Sequence, residues 1–136
     1  VIIQSYQTNH SVLKSVVNND IDSFFKSELY DRKRNLFPPY IKLIRITFKN
    51  RSMFNLNSAS DWFLNVLKQS FDGKILGPVS PVISRVRNNY IKEILVKLES
   101  DNSRIFFKKL LNKTIKSFDS ISSFRSTRVI VDVDPY

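Results

Sequence analysis

The sequence predicts an α+β fold with a split β-α-β arrangement: a four-stranded antiparallel sheet in ferredoxin-like order, with two helices on one face. The first observation behind this prediction is the apolar pattern after residue 40, which reads strand, helix, strand, strand, helix, strand. The second is an Asn-Asn corner at residues 88 and 89, because Asn tolerates the positive φ of a tight hairpin. A strand-helix-helix segment precedes the sheet.

The first 36 residues are predicted to form that preceding segment. Val1–Tyr6 has a β-type composition, a first helix follows, and a second helix begins at a cap provided by Asp20 or Asp22. Pro38-Pro39 stops the second helix, because neither proline can continue it and residues before proline are extended. We therefore predict two domains, residues 1–36 and residues 37–136.

The first strand and helix of the second domain follow from their apolar periods. The strand from Tyr40 alternates with period two and places three residues on its core face: Ile44, Ile46 and Phe48. Asn50–Asn57 is predicted to be a polar connection, and Ser58 and Asp61 together to form the capping signal of the next helix. Gly73 supplies the C-terminal stop of that helix, whose predicted apolar stripe consists of Trp62, Phe63, Val66 and Leu67.

A hairpin over residues 76–99 is predicted at the centre of the domain. It contains a Gly77-Pro78 turn, a short apolar segment, the Asn88-Asn89 corner and a strand that starts at Tyr90. The last helix begins at a cap within Ser100–Ser103. Its continuous core face consists of Phe107, Leu110, Leu111, Thr114, Ile115 and Phe118. Residues 128–134 form the final strand.

Positive charge is concentrated in the second part of the chain. The formal net charge is +10, and residues 1–41 carry 5 Lys and Arg against 4 Asp and Glu. Residues 42–136 carry 17 against 8, a net charge of +9. A concentrated positive field attracts polyanions or acidic peptides, although solubility alone also explains a basic surface. The start at Val1 in an apolar run, without an initiator Met, indicates a segment of a longer protein.

Catalytic and metal-binding signals are weak. Cysteine is absent, and His10 is the only histidine, so few residues could form a catalytic pair of a nucleophile and a general base. Asp132 and Asp134 lie on one side of a strand, but hard cations need more oxygen ligands than two. With only two glycines and no phosphate-binding motif, the chain by itself is not expected to hydrolyse nucleotides. No apolar run reaches the roughly 18 residues of a membrane span.

Basic residues are the remaining candidates for a functional site. Arg85 and Arg87 are predicted on one face of a strand as phosphate contacts. A lysine face of the last helix is a second candidate for nucleic-acid binding: Lys109, Lys113 and Lys116. Arg104 lies in the first turn of that helix, where a cation opposes the helix dipole. An acidic partner would offset this repulsion, because the helix N-terminus and the guanidinium both attract a carboxylate.

Three separated motifs resemble the C-terminal region of bacterial PriA, the replication-restart helicase also called primosomal protein N′. They are Leu36-Phe37-Pro38-Pro39-Tyr40, then Leu76-Gly77-Pro78 with Pro81, Arg85, Arg87 and Tyr90, and then Asp132-Val133-Asp134-Pro135. The opening Val1–Tyr6 resembles the end of the second helicase lobe of that family. The resemblance covers essentially the whole chain, and residues 1–36 would be the end of that lobe with its linking helices.

The resemblance implies a non-catalytic module of a cytoplasmic 3′-to-5′ DNA helicase that restarts replication. ATP, Mg and structural zinc would bind upstream of this chain, and no cofactor within it. The implied partners are branched or single-stranded DNA, other primosome proteins and the acidic tail of single-stranded DNA-binding protein, with no membrane. In the family, an Arg and a residue one turn later hold that tail; these positions correspond to Arg104 and Lys108. The family often has Gln at the second position.

Two other classes of function remain open from the sequence. A free-standing basic RNA-binding or ribosome-associated module would have the same fold class, and the sequence upstream of Val1 would distinguish the two. A small phosphatase-type enzyme of this fold class would need a phosphate-binding loop with a partnered Arg and Asn. Arg87 and Asn88 are adjacent, but no Gly-rich turn presents them.

Overall fold

Five strands and four α-helices occur in residues 2–135, the residues that the computed structural model describes. The strands are β1 (Lys42–Asn50), β2 (Lys74–Val79), β3 (Arg85–Val86), β4 (Asn89–Leu98) and β5 (Arg128–Val133). The helices are α1 (Ser11–Val17), α2 (Ile21–Arg34), α3 (Met53–Ser70) and α4 (Asp101–Ser120). A 3₁₀ turn, Ser122–Phe124, lies between α4 and β5.

The strands form one antiparallel sheet in the order β2-β4-β1-β5, and β3 pairs with β4 beyond the end of β2. The central register places Ile46 opposite Ile94 on one side and Val131 on the other. The predicted α+β class and the order of its four main strands are therefore confirmed. The hairpin strand predicted in the segment with Arg85 and Arg87 is reduced to the two residues of β3, and the longer strand β2 precedes it, where a turn was predicted.

Helices α3 and α4 pack on the same face of this sheet. Their buried side chains share one core with the even-numbered residues of β1 and β4. The Phe63 ring of α3 lies 5.2 Å from the Phe48 ring of β1 and 5.7 Å from the Phe118 ring of α4, in edge-on contacts. Such aromatic pairs contribute about 0.5–1.5 kcal/mol each beyond the burial of their area. The predicted core face of α4 is confirmed, since Phe107, Leu111, Thr114 and Phe118 are buried.

The predicted start of α3 is wrong. The segment predicted as a polar connection is helical from Met53, and Ser52 is the cap, because its hydroxyl accepts a hydrogen bond from the Asn55 backbone N–H at 3.3 Å. Ser58 and Asp61 lie inside the helix. Several Asn and Ser residues in this segment have low helix propensity, but burial of Leu56 and Ala59 extends the apolar face by a full turn.

The hairpin over residues 76–99 also differs from its prediction. Gly77-Pro78 is a bulge inside β2, not a turn: these two residues lie opposite one β4 residue, between the pairs Leu76–Leu95 and Val79–Glu93. The tight turn consists of Arg87 and Asn88, with φ of 46° and 66°. The corner is therefore one residue earlier than the predicted Asn88-Asn89 pair, and Arg87 does not share a strand face with Arg85.

The N-terminal helices extend outside the sheet core. Residues 2–6 form no strand in the structure, contrary to prediction, and Val1 lies outside the described residues. Asp20 caps α2 by accepting a hydrogen bond from the Ser23 N–H at 3.1 Å. No residue of α1 or α2 is buried. The boundary between residues 36 and 37 stays a prediction.

Lys97 ties the end of α2 to the open face of the sheet. Its side chain is only 6% exposed and its Nζ donates to the carbonyl oxygens of Asn35 and Leu36, at 2.9 and 3.0 Å. The same ammonium lies 4.3 Å from the centre of the Phe37 ring. Burial lowers the pKa of Lys97, and the charge of Lys74 lowers this pKa further.

Candidate functional site

Cations gather at the end of the sheet where β1 ends and β4 and β5 begin. The strand register places Lys49 opposite Ile91 on one side and Arg128 on the other. Three segments meet there, residues 49–52, 84–92 and 125–131, and none of them contains an Asp or Glu. We call their seven cations the cationic rim: Lys49, Arg51, Arg85, Arg87, Lys92, Arg125 and Arg128.

A buried amide network holds the β1 and β5 parts of the cationic rim together. Asn50 is 4% exposed, and its Nδ2 donates to the hydroxyls of Thr127 at 2.7 Å and Ser126 at 3.1 Å. Its Oδ1 accepts from the backbone N–H of Ser52 at 2.8 Å. This side chain therefore fixes the exit of β1, the start of α3 and the approach to β5 against each other.

The β3–β4 hairpin carries two of the predicted phosphate contacts. The Arg85 guanidinium lies 4.8 Å from the centre of the Tyr90 ring and donates a hydrogen bond to Asn88 Oδ1. Arg87 is exposed in the two-residue turn. The hairpin thus holds Arg85 in one position, while the turn presents Arg87 at its tip.

Sequence reasoning identified two of the seven rim cations. The other five come from three segments far apart in the chain, and only the strand register brings them together. The lysine face of α4 is exposed, as its pattern predicts: Lys109, Lys113 and Lys116. It lies on the outer side of the helix, away from the buried Phe107 and Phe118.

Arg104 lies at the opposite end of the sheet, in the first turn of α4. Its guanidinium is ion-paired with Asp101 through Nη1, and its side chain is 35% exposed. Its Nε is buried without a hydrogen-bond partner among residues 2–135. Lys108, one turn later, is exposed. The geometry therefore leaves one donor of Arg104 unused beside a second cation.

Asp134 directly follows β5, at the same end of the sheet as Arg104. It accepts hydrogen bonds from Lys42 Nζ and, at 3.1 Å, from the backbone N–H of Leu43. The hydrogen bond from Lys42 is the main cause that lowers the pKa of Asp134; burial opposes it, and the charges of Lys42 and Arg104 lower this pKa further. The contacts of Asp134 with Lys42 and Leu43 therefore link the end of β5 to the start of β1.

A cavity of about 880 Å³ opens beside the first turn of α4. Phe71 and Phe106 line it, and so do two cations and two acids: Lys74, Lys97, Asp72 and Glu99. Its charges balance, so the cavity offers no net attraction to an anion. Arg104 lies about 200° around the helix from Phe106 and contributes nothing to this lining.

The other candidates for chemistry have structural roles or remain isolated. His10 caps α1, because its Nδ1 accepts a hydrogen bond from the Val12 N–H at 3.3 Å. Among residues 2–135, no three His, Asp or Glu side chains come close enough to hold a metal ion. The described helices include none that is long and apolar enough to cross a membrane.

Comparison with known proteins places this arrangement in a family. The family model described as the primosomal protein N C-terminal domain matches residues 33–136. Proteins named replication restart protein PriA are 24% identical in Bacillus subtilis and 27% identical in Borreliella burgdorferi, each over the whole chain. The relative from Thermotoga maritima, with the same name, is 27% identical over 98% of the chain.

The chain spans only 16–20% of the length of these three relatives. Among solved structures, a de novo designed protein, Foldit4, aligns with 68% of this chain and 94% of its own, with a TM-score of 0.52 and 6% identity. That likeness concerns the fold alone. Since the family model covers well over half of the residues, the chain belongs to the family of the primosomal protein N (PriA) C-terminal domain.

Proposed function

We propose that this chain is a non-catalytic module of an ATP-dependent 3′-to-5′ DNA helicase for replication restart. It would bind fork DNA and the acidic tail of single-stranded DNA-binding protein. The observation that carries the proposal is the family match over residues 33–136, together with relatives named for replication restart. The sites for ATP, Mg and zinc would lie in other parts of such a protein, and the module would act in the cytoplasm.

The net charge of +9 in residues 42–136 supports the DNA part. A protein that neutralises phosphates releases condensed counterions, so its affinity falls steeply as salt rises. Titration of a labelled DNA fork with the chain at increasing salt tests this part. We expect binding at low salt that weakens progressively; no binding at low salt, or binding that salt does not change, would refute it.

The surroundings of Arg104 support the tail-binding part. Its side chain is 35% exposed, and its ion pair with Asp101 lies at the surface, so an incoming carboxylate could bind the guanidinium in place of Asp101. The N–H groups of the first turn of α4 and the ammonium of Lys108 add positive potential on the same part of the helix. A peptide segment rich in carboxylates meets these requirements.

Replacement of Arg104 tests the tail-binding part directly. A hydrogen bond to a charged group contributes about 1.5–3 kcal/mol, so Arg104→Ala should weaken binding of the acidic tail peptide by roughly 10-fold to 100-fold. The measurement is fluorescence anisotropy with the labelled tail peptide and the full-length protein.

Lys113→Ala is the matched control for this experiment. It removes one positive charge from the exposed face of the same helix, two turns further on. It should leave the dissociation constant within about twofold, because an exposed charge at this distance is screened. If the two variants lose equal affinity for the peptide, net charge alone explains the loss, and a specific role of Arg104 is refuted.

A further inference from the structure

We propose that the cationic rim, together with the exposed ring of Phe54, forms the contact with a DNA branch point. The rim would hold backbone phosphates, and Phe54 would stack on a base exposed where strands separate. This inference rests on the proposed DNA-binding function, and names the surface and the feature of the DNA that it recognises. Three observations carry it: uncompensated charge, a fixed geometry, and an exposed aromatic ring beside the charges.

The charge distribution distinguishes the two ends of the sheet. The rim segments contain seven cations and no acid, and none of the ion pairs found in residues 2–135 involves a rim cation. Two acids, Glu93 and Asp132, line the same depression on the open face of the sheet as Lys49, so the rim is strongly but not wholly uncompensated. At the opposite end the cations Lys42, Lys74, Lys97 and Arg104 lie among the acids Asp72, Glu99, Asp101 and Asp134. Polyanion attraction therefore concentrates at the rim.

The rim is held in place before any ligand binds. Asn50 links the ends of β1 and β5 by hydrogen bonds, and the Tyr90 ring supports Arg85. Four adjacent strands, β3, β4, β1 and β5, give the rim a width of about 14 Å at roughly 4.8 Å per strand spacing. That width is close to the roughly 12 Å of the DNA major groove, so the two sides of the rim can reach both backbones. Such preorganisation reduces the entropy lost on binding.

An exposed phenyl ring lies directly beside these charges. Phe54 is 78% exposed in the first turn of α3, three residues after the rim cation Arg51. The only aromatic residue within the rim segments, Tyr90, is partly buried against the core and has the Arg85 guanidinium over its ring, so it is less available for stacking than Phe54. Bases in an intact duplex are already stacked, whereas a branch point exposes bases that can stack on an aromatic side chain. The combination of rim and ring thus favours a branch over a continuous duplex.

The first test separates the cationic rim from the rest of the basic surface. One variant combines Arg51→Gln, Arg87→Asn and Arg128→Gln, which are three exposed rim positions. The control combines Lys109→Gln, Lys113→Gln and Lys116→Gln on α4, which removes the same charge. For a fork and for a continuous duplex, we expect the rim variant to bind at least tenfold more weakly than the unmodified chain. The slope of log affinity against log salt concentration should also be smaller in magnitude by about 3. The α4 control should retain its affinity within about threefold. Circular dichroism confirms that both variants fold.

The second test concerns Phe54 alone. Phe54→Ala should weaken fork binding by about tenfold, the expected effect of one lost base-stacking contact, and leave duplex binding unchanged. Phe106→Ala is the matched control, because this phenylalanine is also exposed, at 51%, but lies at the opposite end of the sheet. It should leave the affinity for both DNAs unchanged.

Each remaining outcome overturns a different statement. Equal losses in the rim variant and the α4 control would overturn the rim as the site, while DNA binding would stand. Equal effects of Phe54→Ala on fork and duplex, or no effect on either, would overturn the branch-point contact. Failure of the unmodified chain to bind either DNA would overturn the proposed function itself.

Discussion

Gly77 should tolerate no side chain, because the bulge in β2 brings its backbone against β4. Its φ is +104°, in a region that L-residues rarely adopt. A Cβ at this position would lie 2.5 Å from the carbonyl oxygen of Glu93 and 3.2 Å from the backbone nitrogen of Val79. Both contacts are with backbone atoms, which cannot rotate away. Gly77→Ala must therefore separate β2 from β4 or distort the bulge.

The cost of Gly77→Ala has two parts. A residue held at a sparsely populated φ costs about 1–3 kcal/mol. Overpacking against a fixed neighbour costs roughly another 1–3 kcal/mol. We therefore expect the free energy of unfolding to fall by about 2–6 kcal/mol, a large part of the roughly 5–15 kcal/mol that stabilises a typical domain. The midpoint temperature should fall by roughly 4 °C for each kcal/mol in a protein of this size.

Urea unfolding followed by fluorescence measures this loss, with Trp62 as the only tryptophan. Trp62 suits the purpose because its ring packs 5.9 Å from Phe118 and 5.7 Å from Phe124. Val79→Ala is the control, since Val79 lies in the same strand with its side chain 58% exposed. It should cost less than about 1 kcal/mol. If the two variants lose equal stability, the steric reasoning about Gly77 is wrong.

Two further predictions concern the two ends of the sheet. Asn50→Ala should lower the free energy of unfolding by about 2–3 kcal/mol, because it leaves Thr127 Oγ1 and the Ser52 N–H without their partner. Urea unfolding measures this loss, and a loss below about 0.5 kcal/mol would contradict the proposed role of the hydrogen-bond network. Asp134→Asn should cost about 1 kcal/mol at neutral pH and progressively less in acid. The pKa of Asp134 is lowered in the fold, so its stabilising contribution is present above the unfolded pKa and is lost as pH falls through the folded pKa. The measurement compares the unfolding free energies of Asp134→Asn and the unmodified chain from pH 7 to about pH 2. A difference that stays constant over this range would contradict the stabilising role of the Asp134 carboxylate.

The parts of the fold that local periodicity determines could be predicted from the sequence. Strand β1 alternates with period two, and the buried Ile44, Ile46 and Phe48 occupy the predicted face. Helix α4 repeats its core-facing residues every three or four positions from Phe107 to Phe118, about three turns of helix, which makes the pattern clear. Because both elements carry one apolar face, the sheet-and-helix layering follows directly from them.

The parts that depend on long-range pairing could not be predicted in this way. Gly77-Pro78 has the composition of a turn, and only its pairing with β4 shows that it is a bulge. The start of α3 was missed because burial of Leu56 overrides the weak helix propensity around it. The cationic rim is a product of register, so its charges look scattered in the sequence.

The two proposed contact regions lie at opposite ends of one strand. Strand β4 begins at the rim with Asn89 and ends at Leu98, three residues before α4 begins. Ten residues at about 3.3 Å each separate the two regions by roughly 30 Å. At that separation charges are screened from each other by several Debye lengths at physiological salt. A DNA branch at the rim and an acidic tail at Arg104 therefore do not compete for the same charges, and the mixed charges at the Arg104 end reduce its attraction for the DNA backbone. If both proposals hold, the sheet would bind the two partners at the same time, because the local balance of acids and bases differs between its two ends.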